Sequence, residues 1–82
     1  MMGDVAVLFR VYADAGREDE VKKEIKEKLG PRGIELEDIA FGIKVIKVLF
    51  IHSDKEGSSD IEAKLRKVGG VNEVEVLEES LI

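Results

Sequence analysis

The sequence predicts a two-layer α+β sandwich, a four-stranded antiparallel sheet with two helices on one face. Three observations carry that expectation. The hydrophobic period begins at two residues, changes to the helical 3.6, returns to two for two successive stretches, then repeats the change and the return. The first and third extended stretches are richly apolar, while the second and fourth carry Glu and Asp, the distribution expected of central and edge strands. Finally, 82 residues leave room for one core and no second domain.

Asp4 to Ala13 alternates Val5, Val7, Phe9 and Val11 with Ala6, Leu8, Arg10 and Tyr12, so one face is apolar and the other shallow and partly wet. Asp14-Ala15-Gly16 breaks this pattern. From Arg17 the spacing is helical, with Val21, Ile25 and Leu29 on one stripe, acids (Glu18, Asp19, Glu20) in the first turn and Lys26 and Lys28 in the last, the order that complements the helix dipole. Gly30-Pro31 stops the helix, because Gly takes a left-handed cap and Pro cannot continue the ladder. Ile34 to Ile39 reads as a polar edge strand.

The densest apolar run, Ile43 to His52, is the organising strand. Both of its alternating sets are largely apolar, Ile43, Val45, Leu49 and Ile51 against Ile46, Val48 and Phe50, which predicts a central strand covered on both faces. Just before it, Phe41-Gly42 marks a turn or bulge. Ser53 to Gly57 is a loop; Ser59 and Glu62 have the spacing of a capping box, and Ile61, Leu65 and Val68 form the stripe of a second helix that Gly69-Gly70 ends. Val71 to Glu79 closes the pattern as an edge strand, with Val74 and Val76 inward, Glu73 and Glu75 outward, and Leu77 on the outer side. The whole order is the ferredoxin-like βαββαβ plan, and right-handed crossovers give it sheet order 4-1-3-2. Residues 1–82 therefore read as a single domain.

Composition excludes several functions. Without cysteine there is no disulfide framework, thiol nucleophile or Cys-based metal site, and a reducing cytosol is expected. No charged-then-apolar leader opens the chain, and its longest apolar run is broken by two lysines, so a soluble, intracellular protein without a membrane role is expected. A net charge of -5 opposes binding to phosphate backbones, which depends on clustered Lys and Arg. Aromatics are 5% of the chain, and of the base-stacking candidates Phe9, Tyr12 and Phe50 the first and last read better as core, so direct nucleic-acid binding is not expected.

No catalytic, metal or cofactor site emerges. His52-Ser53-Asp54 resembles a triad only in composition, since adjacent strand residues point to opposite faces; it reads as a strand-end polar cluster. Asp54, Glu56 and Asp60 lack the alternating oxygen ligands of a calcium loop and read as a solvated acidic loop. Gly69-Gly70 follows a helix instead of opening one, which argues against a phosphate cradle. Phe41 has two readings: a core aromatic at a strand junction, or an exposed aromatic on a rigid turn, a typical anchor for a protein partner.

Taken together, Ile39-Ala40-Phe41-Gly42-Ile43-Lys44, the long apolar strand that follows, the opening Met2-Gly3-Asp4-Val5 and the closing Val68-Gly69-Gly70-Val71 resemble the beta subunit of elongation factor 1 in its short archaeal form. The likeness spans the chain. It implies a guanine-nucleotide exchange factor for elongation factor 1-alpha, the GTP-binding carrier of aminoacyl-tRNA, with no bond-making chemistry and no cofactor, and monomeric when free. The resemblance also implies that Phe41, with Gly42, Ile43 and Lys44 beside it, contacts the carrier's GTPase domain. Eukaryotic members use a lysine next to the carboxyl terminus to disturb the carrier's magnesium site. Here that position is Leu81, before Ile82, so an apolar wedge replaces the lysine. The predicted topology sets this tail and Phe41 on the order of 20 Å apart, from ~3.3 Å per residue over a typical strand.

The alternative is a small-molecule-sensing or regulatory domain of the same fold that dimerises through its second or fourth strand, motivated by outer-face residues such as Leu8 and Leu77. An acylphosphatase-like reading would need Arg10 and Asn72 on one phosphate-cradling loop; they lie on different strands.

Overall fold

The computed structural model describes residues 3–53 and 57–82. Its elements are β1 (Asp4–Ala13), α1 (Glu18–Leu29), β2 (Gly33–Ala40), β3 (Ile43–Ser53), α2 (Ser58–Arg66) and β4 (Val71–Leu81). All strand pairs are antiparallel and the sheet order is β2-β3-β1-β4, the expected ferredoxin-like arrangement. Chain order and strand polarity explain each position. The apolar β1 and β3 pair with each other in the middle, while β2 and β4 take the edges that their carboxylates protect.

Register decides which side chains share a face. Val7, Phe9 and Val11 lie across from Phe50, Val48 and Ile46, and this set joins Val21 and Ile25 of α1 with Leu65 and Val68 around α2 in one buried cluster. Both helices therefore cover the same face. At its centre the Phe9 and Phe50 rings meet edge to face, centroids 6.0 Å apart, which removes both from any role in base stacking. Gly30 adopts the left-handed cap (φ 55°, ψ 55°) that ends α1. At Gly70 (φ 91°) an added Cβ would lie 2.8 Å from Val21 Cγ2, so the turn into β4 can press against α1 only without a side chain.

Four details depart from the sequence expectation. β3 is central but not covered on both faces: no helix lies over the Val45 side, where Val45 is buried, Leu49 half-buried and Ile51 exposed. Long side chains do the covering there, with Lys47 bonded to Glu37 at 3.0 Å and Arg10 to Glu75 at 3.3 Å. Ser59 does not cap α2; Gly57 holds the N-cap position and the helix begins at Ser58. Val76 lies across from Phe9 on the helix side yet is 45% exposed, whereas Val74 on the same face is buried. Leu77 falls at the register shift between Leu8 and Phe9, a bulge that leaves it unpaired and exposed.

Candidate functional site

The β2–β3 connection has two residues, Phe41 and Gly42, between the paired Ala40 and Ile43. Both have positive φ, 41° and 81°, as a type I′ hairpin requires. Gly42 takes this backbone freely. Phe41 does not, and among the described residues it is the one non-glycine with positive φ. A side chain in the left-handed region costs ~1–2 kcal/mol. Phe41 recovers nothing by packing within the chain, since its relative exposure is 106%. The core reading of Phe41 is therefore wrong.

A second irregularity enlarges the tip. Pairing slips between Asp38 and Ala40, so Ile39 is the extra residue of a bulge. Ile39 and Ile43 are both exposed, and with Phe41 they gather three large apolar side chains at one end of the sheet. Lys44 beside them is also exposed. Ile39 opens the segment that carries the resemblance but was not among the expected contact residues, because alternation alone cannot reveal a bulge.

Leu81 and Ile82 form a second exposed apolar group, 73% and 67% accessible. Leu81 pairs with Val5, which pairs with His52 on its other side, and the Ile82 amide donates to the Asp4 carbonyl at 2.9 Å. The tail thus sits level with the far end of β3. From Ile43 to His52 the strand advances nine residues, or about 30 Å at ~3.3 Å each. That is longer than the 20 Å anticipated, because β3 runs to 11 residues. The hairpin tip and the tail are at opposite ends of the sheet.

The histidine sits in a side-chain chain that sequence order conceals. His52 is 8% exposed; its Nδ1 is 2.7 Å from the Ser53 carbonyl oxygen and its Nε2 is 2.9 Å from Ser58 Oγ, whose hydroxyl donates to Glu79 Oε2. The connectivity is imidazole, hydroxyl, carboxylate. A hydrolytic triad places the imidazole in the middle so that it can take the hydroxyl proton; here that proton is committed to an acid, and Ser58 is not an activated nucleophile. Asp54 and Glu56 lie outside the described residues. Among the described residues no group of three His, Asp or Glu is placed to hold a metal ion.

On the open face, Arg10 contacts the Tyr12 hydroxyl at 3.5 Å as well as Glu75. The hydrogen bond to Tyr12, helped by the charges of Glu75 and Glu37, pushes the Arg10 pKa up, so its charge is permanent. Arg10 is thus committed to partners on the sheet itself. No helix among the described residues is long and apolar enough to cross a membrane.

Comparison with known proteins covers both exposed groups. Residues 13–82, a span that includes the hairpin tip and the tail, match the EF-1 guanine nucleotide exchange domain. Elongation factor 1-beta of Methanospirillum hungatei is 39% identical over 89 residues, covering 99% of this chain and 100% of that protein. The Thermoplasma volcanium protein of the same name is 40% identical over 88 residues with the same coverage, and that of Methanoregula boonei is 37% identical over 84 residues, covering 98% and 99%. The chain belongs to the EF-1 guanine nucleotide exchange domain family.

Proposed function

We propose that the Phe41 hairpin tip and the Leu81-Ile82 tail are the two contacts through which this exchange factor grips elongation factor 1-alpha and promotes replacement of GDP by GTP. The observation that carries the reading is Phe41 itself. A large aromatic is held in a strained left-handed turn and fully exposed, an arrangement with no benefit to the isolated fold and the usual form of a docking anchor. Ile39, Gly42, Ile43 and Lys44 frame it.

The mechanism needs no bond change. A protein that binds the nucleotide-free carrier more tightly than the GDP-bound carrier must, by linkage, weaken GDP binding by the same factor. An interface of ordinary size reaches both ends of a 30 Å sheet. With Leu81 where eukaryotic relatives of this family have lysine, the tail acts as an apolar wedge and not as a cation beside magnesium. The chain works in the cytoplasm as a monomer, and its acidic sheet edges, with Glu35, Glu37, Glu73 and Glu75, disfavour both direct nucleic-acid contact and edge-to-edge pairing.

The test is release of fluorescent GDP from the cognate elongation factor 1-alpha. Micromolar chain should accelerate it, and Phe41→Ala should remove most of the acceleration while the variant keeps its circular-dichroism spectrum. No acceleration by the unaltered chain refutes the proposal.

A further inference from the structure

We infer that the helix-free face of the sheet, centred on Leu8 and Leu49, is the surface that elongation factor 1-alpha covers, and that the covering surface is basic around an apolar centre. This rests on the two-contact reading above and deepens it by naming the ground between the contacts.

Strand order sets the geometry. The tip joins β2 to β3, whereas the tail ends β4, and the sheet runs β2-β3-β1-β4. A line from tip to tail therefore crosses β3 and β1 and follows neither edge. A partner that touches both must lie over one of the two faces. The helical face is unsuited to this. A helix with its side chains is about 10–12 Å across, so a partner resting on α1 and α2 would be held that far above both ends of the sheet. The helices also offer it little to bind, since among the described residues no exposed large apolar side chain belongs to α1 or α2.

The other face has no such obstacle. Ile43 at the tip and Ser80 beside the tail both fall on it, by their pairing with Ala40 and Ala6. Between them lie Leu49 and Leu8, directly opposite in register and half-buried, and then Ile51, exposed and across from Ala6. Gly33 pairs with Leu49 and has no side chain to set beside it. A shallow hollow opens there, walled by Leu8, Leu49, Lys47 and Glu35, and a second lies on the β4 side of the same two leucines, against Glu78 and Ser80. The leucine pair is thus a low apolar ridge with a depression on each side, a form that accepts projecting side chains of a partner. Charge states the partner's chemistry. Arg10 and Lys47 are each bonded to an acid of their own chain, whereas Glu35, Glu73 and Glu78 stand on this face without an ion pair among the described residues. A second copy would meet these carboxylates with its own; a basic protein surface complements them.

The test compares the whole chain free and bound to nucleotide-free elongation factor 1-alpha, with a soluble gadolinium chelate as the probe of accessible methyl groups. Binding should shield the methyls of Leu8, Leu49 and Ile51 together with Phe41 and Ile82, and should leave exposed Ala63 of α2 as accessible as before. In the GDP-release assay, Ile51→Glu should raise the concentration of chain giving half-maximal stimulation by about tenfold or more, while Lys23→Ala and Lys64→Ala on the helices change it by less than about twofold. If Ile51→Glu fails to fold, the shielding of the unaltered chain decides. Shielding of Phe41 and Ile82 without the three face residues means that the partner grips the ends alone; the assignment of the face then falls and the two-contact reading stands. Shielding of the face in the free chain that grows with its concentration gives the face to a second copy and also overturns the assignment. Absence of any complex overturns the two-contact reading, and this inference with it.

Discussion

Replacing Phe41 by Asn should make the protein more stable and a worse exchange factor. Asn-Gly is the dipeptide that type I′ hairpins prefer, because Asn tolerates positive φ and Gly42 already supplies the second position. Phe41 at φ 41° bears the left-handed cost without compensating burial. Relieving part of it should stabilise the fold by about 1 kcal/mol, equivalent to a rise in Tm of roughly 4–8 °C for a domain of this size. The same change deletes the side chain proposed to enter the partner. Burying a phenylalanine is worth about 1.5–3 kcal/mol, so kcat/KM for stimulated GDP release should fall about 10- to 150-fold. Thermal unfolding by circular dichroism and fluorescent GDP release measure the two effects on one sample. A variant that melts at or below the parent shows the turn to be unstrained. One that keeps its exchange rate within about twofold shows that Phe41 is not the anchor.

Deleting Leu81 and Ile82 removes one ladder pair and the bond to Asp4 at an exposed edge, so stability should fall by no more than about 1 kcal/mol, while stimulated exchange drops at least severalfold in the same GDP-release assay. Gly70→Ala places a Cβ 2.8 Å from Val21 Cγ2 on backbone with φ 91°; the clash and the strain together should cost about 2 kcal/mol or more, read from the urea midpoint at unchanged slope. Phe9→Ala empties the centre of the core beside Phe50 and should cost about 3–5 kcal/mol, a large share of the ~4–12 kcal/mol available to a chain of 82 residues, so partial unfolding at growth temperature should appear in its hydrogen exchange.

Much of this architecture was legible because local and global preferences agree. The period changes located all six elements to within two residues, Gly30 announced the end of α1, and the contrast between apolar β1 and β3 and acidic β2 and β4 decided the strand order. Two of the failures share a cause: alternation tells which side chains share a face, not what covers that face. Hence Val76, which does share the helix face, is 45% exposed, and the apolar Val45 set suggested a second layer where long polar side chains suffice. Ser59 was credited with a cap because its spacing to Glu62 is right, but the helix starts one residue earlier. The site shows the same division. Phe41, Gly42, Ile43 and Lys44 stand together in the sequence, and so do Leu81 and Ile82. Ile39 joins the tip only through a bulge, and Ser58 and Glu79 meet His52 only after β3, α2 and β4 have packed.

The open face carries Leu8, one of the outer-face residues that motivate the regulatory dimer. A dimer through this face would bury Leu8, Leu49 and Ile51, but it would also bring together two copies of the same carboxylates, with Glu35, Glu37, Glu73 and Glu75 standing on the flanking rows. Arg10 and Lys47 are the cations among them, and each is already bonded to an acid of its own chain. Like charges brought together and removed from water oppose association. At the hairpin tip the position is reversed. Phe41 is the most exposed large apolar side chain among the described residues, Ile39 and Ile43 are exposed beside it, and the acidic rows lie behind them. A rigid sheet holding such a tip at one end and an apolar tail about 30 Å away at the other is suited to gripping a larger partner at two separated points. On the proposed two-contact reading, exchange depends on the spacing: the two contacts must fit the emptied partner together better than the loaded one, and a stiff four-stranded ladder keeps their separation from adapting to both.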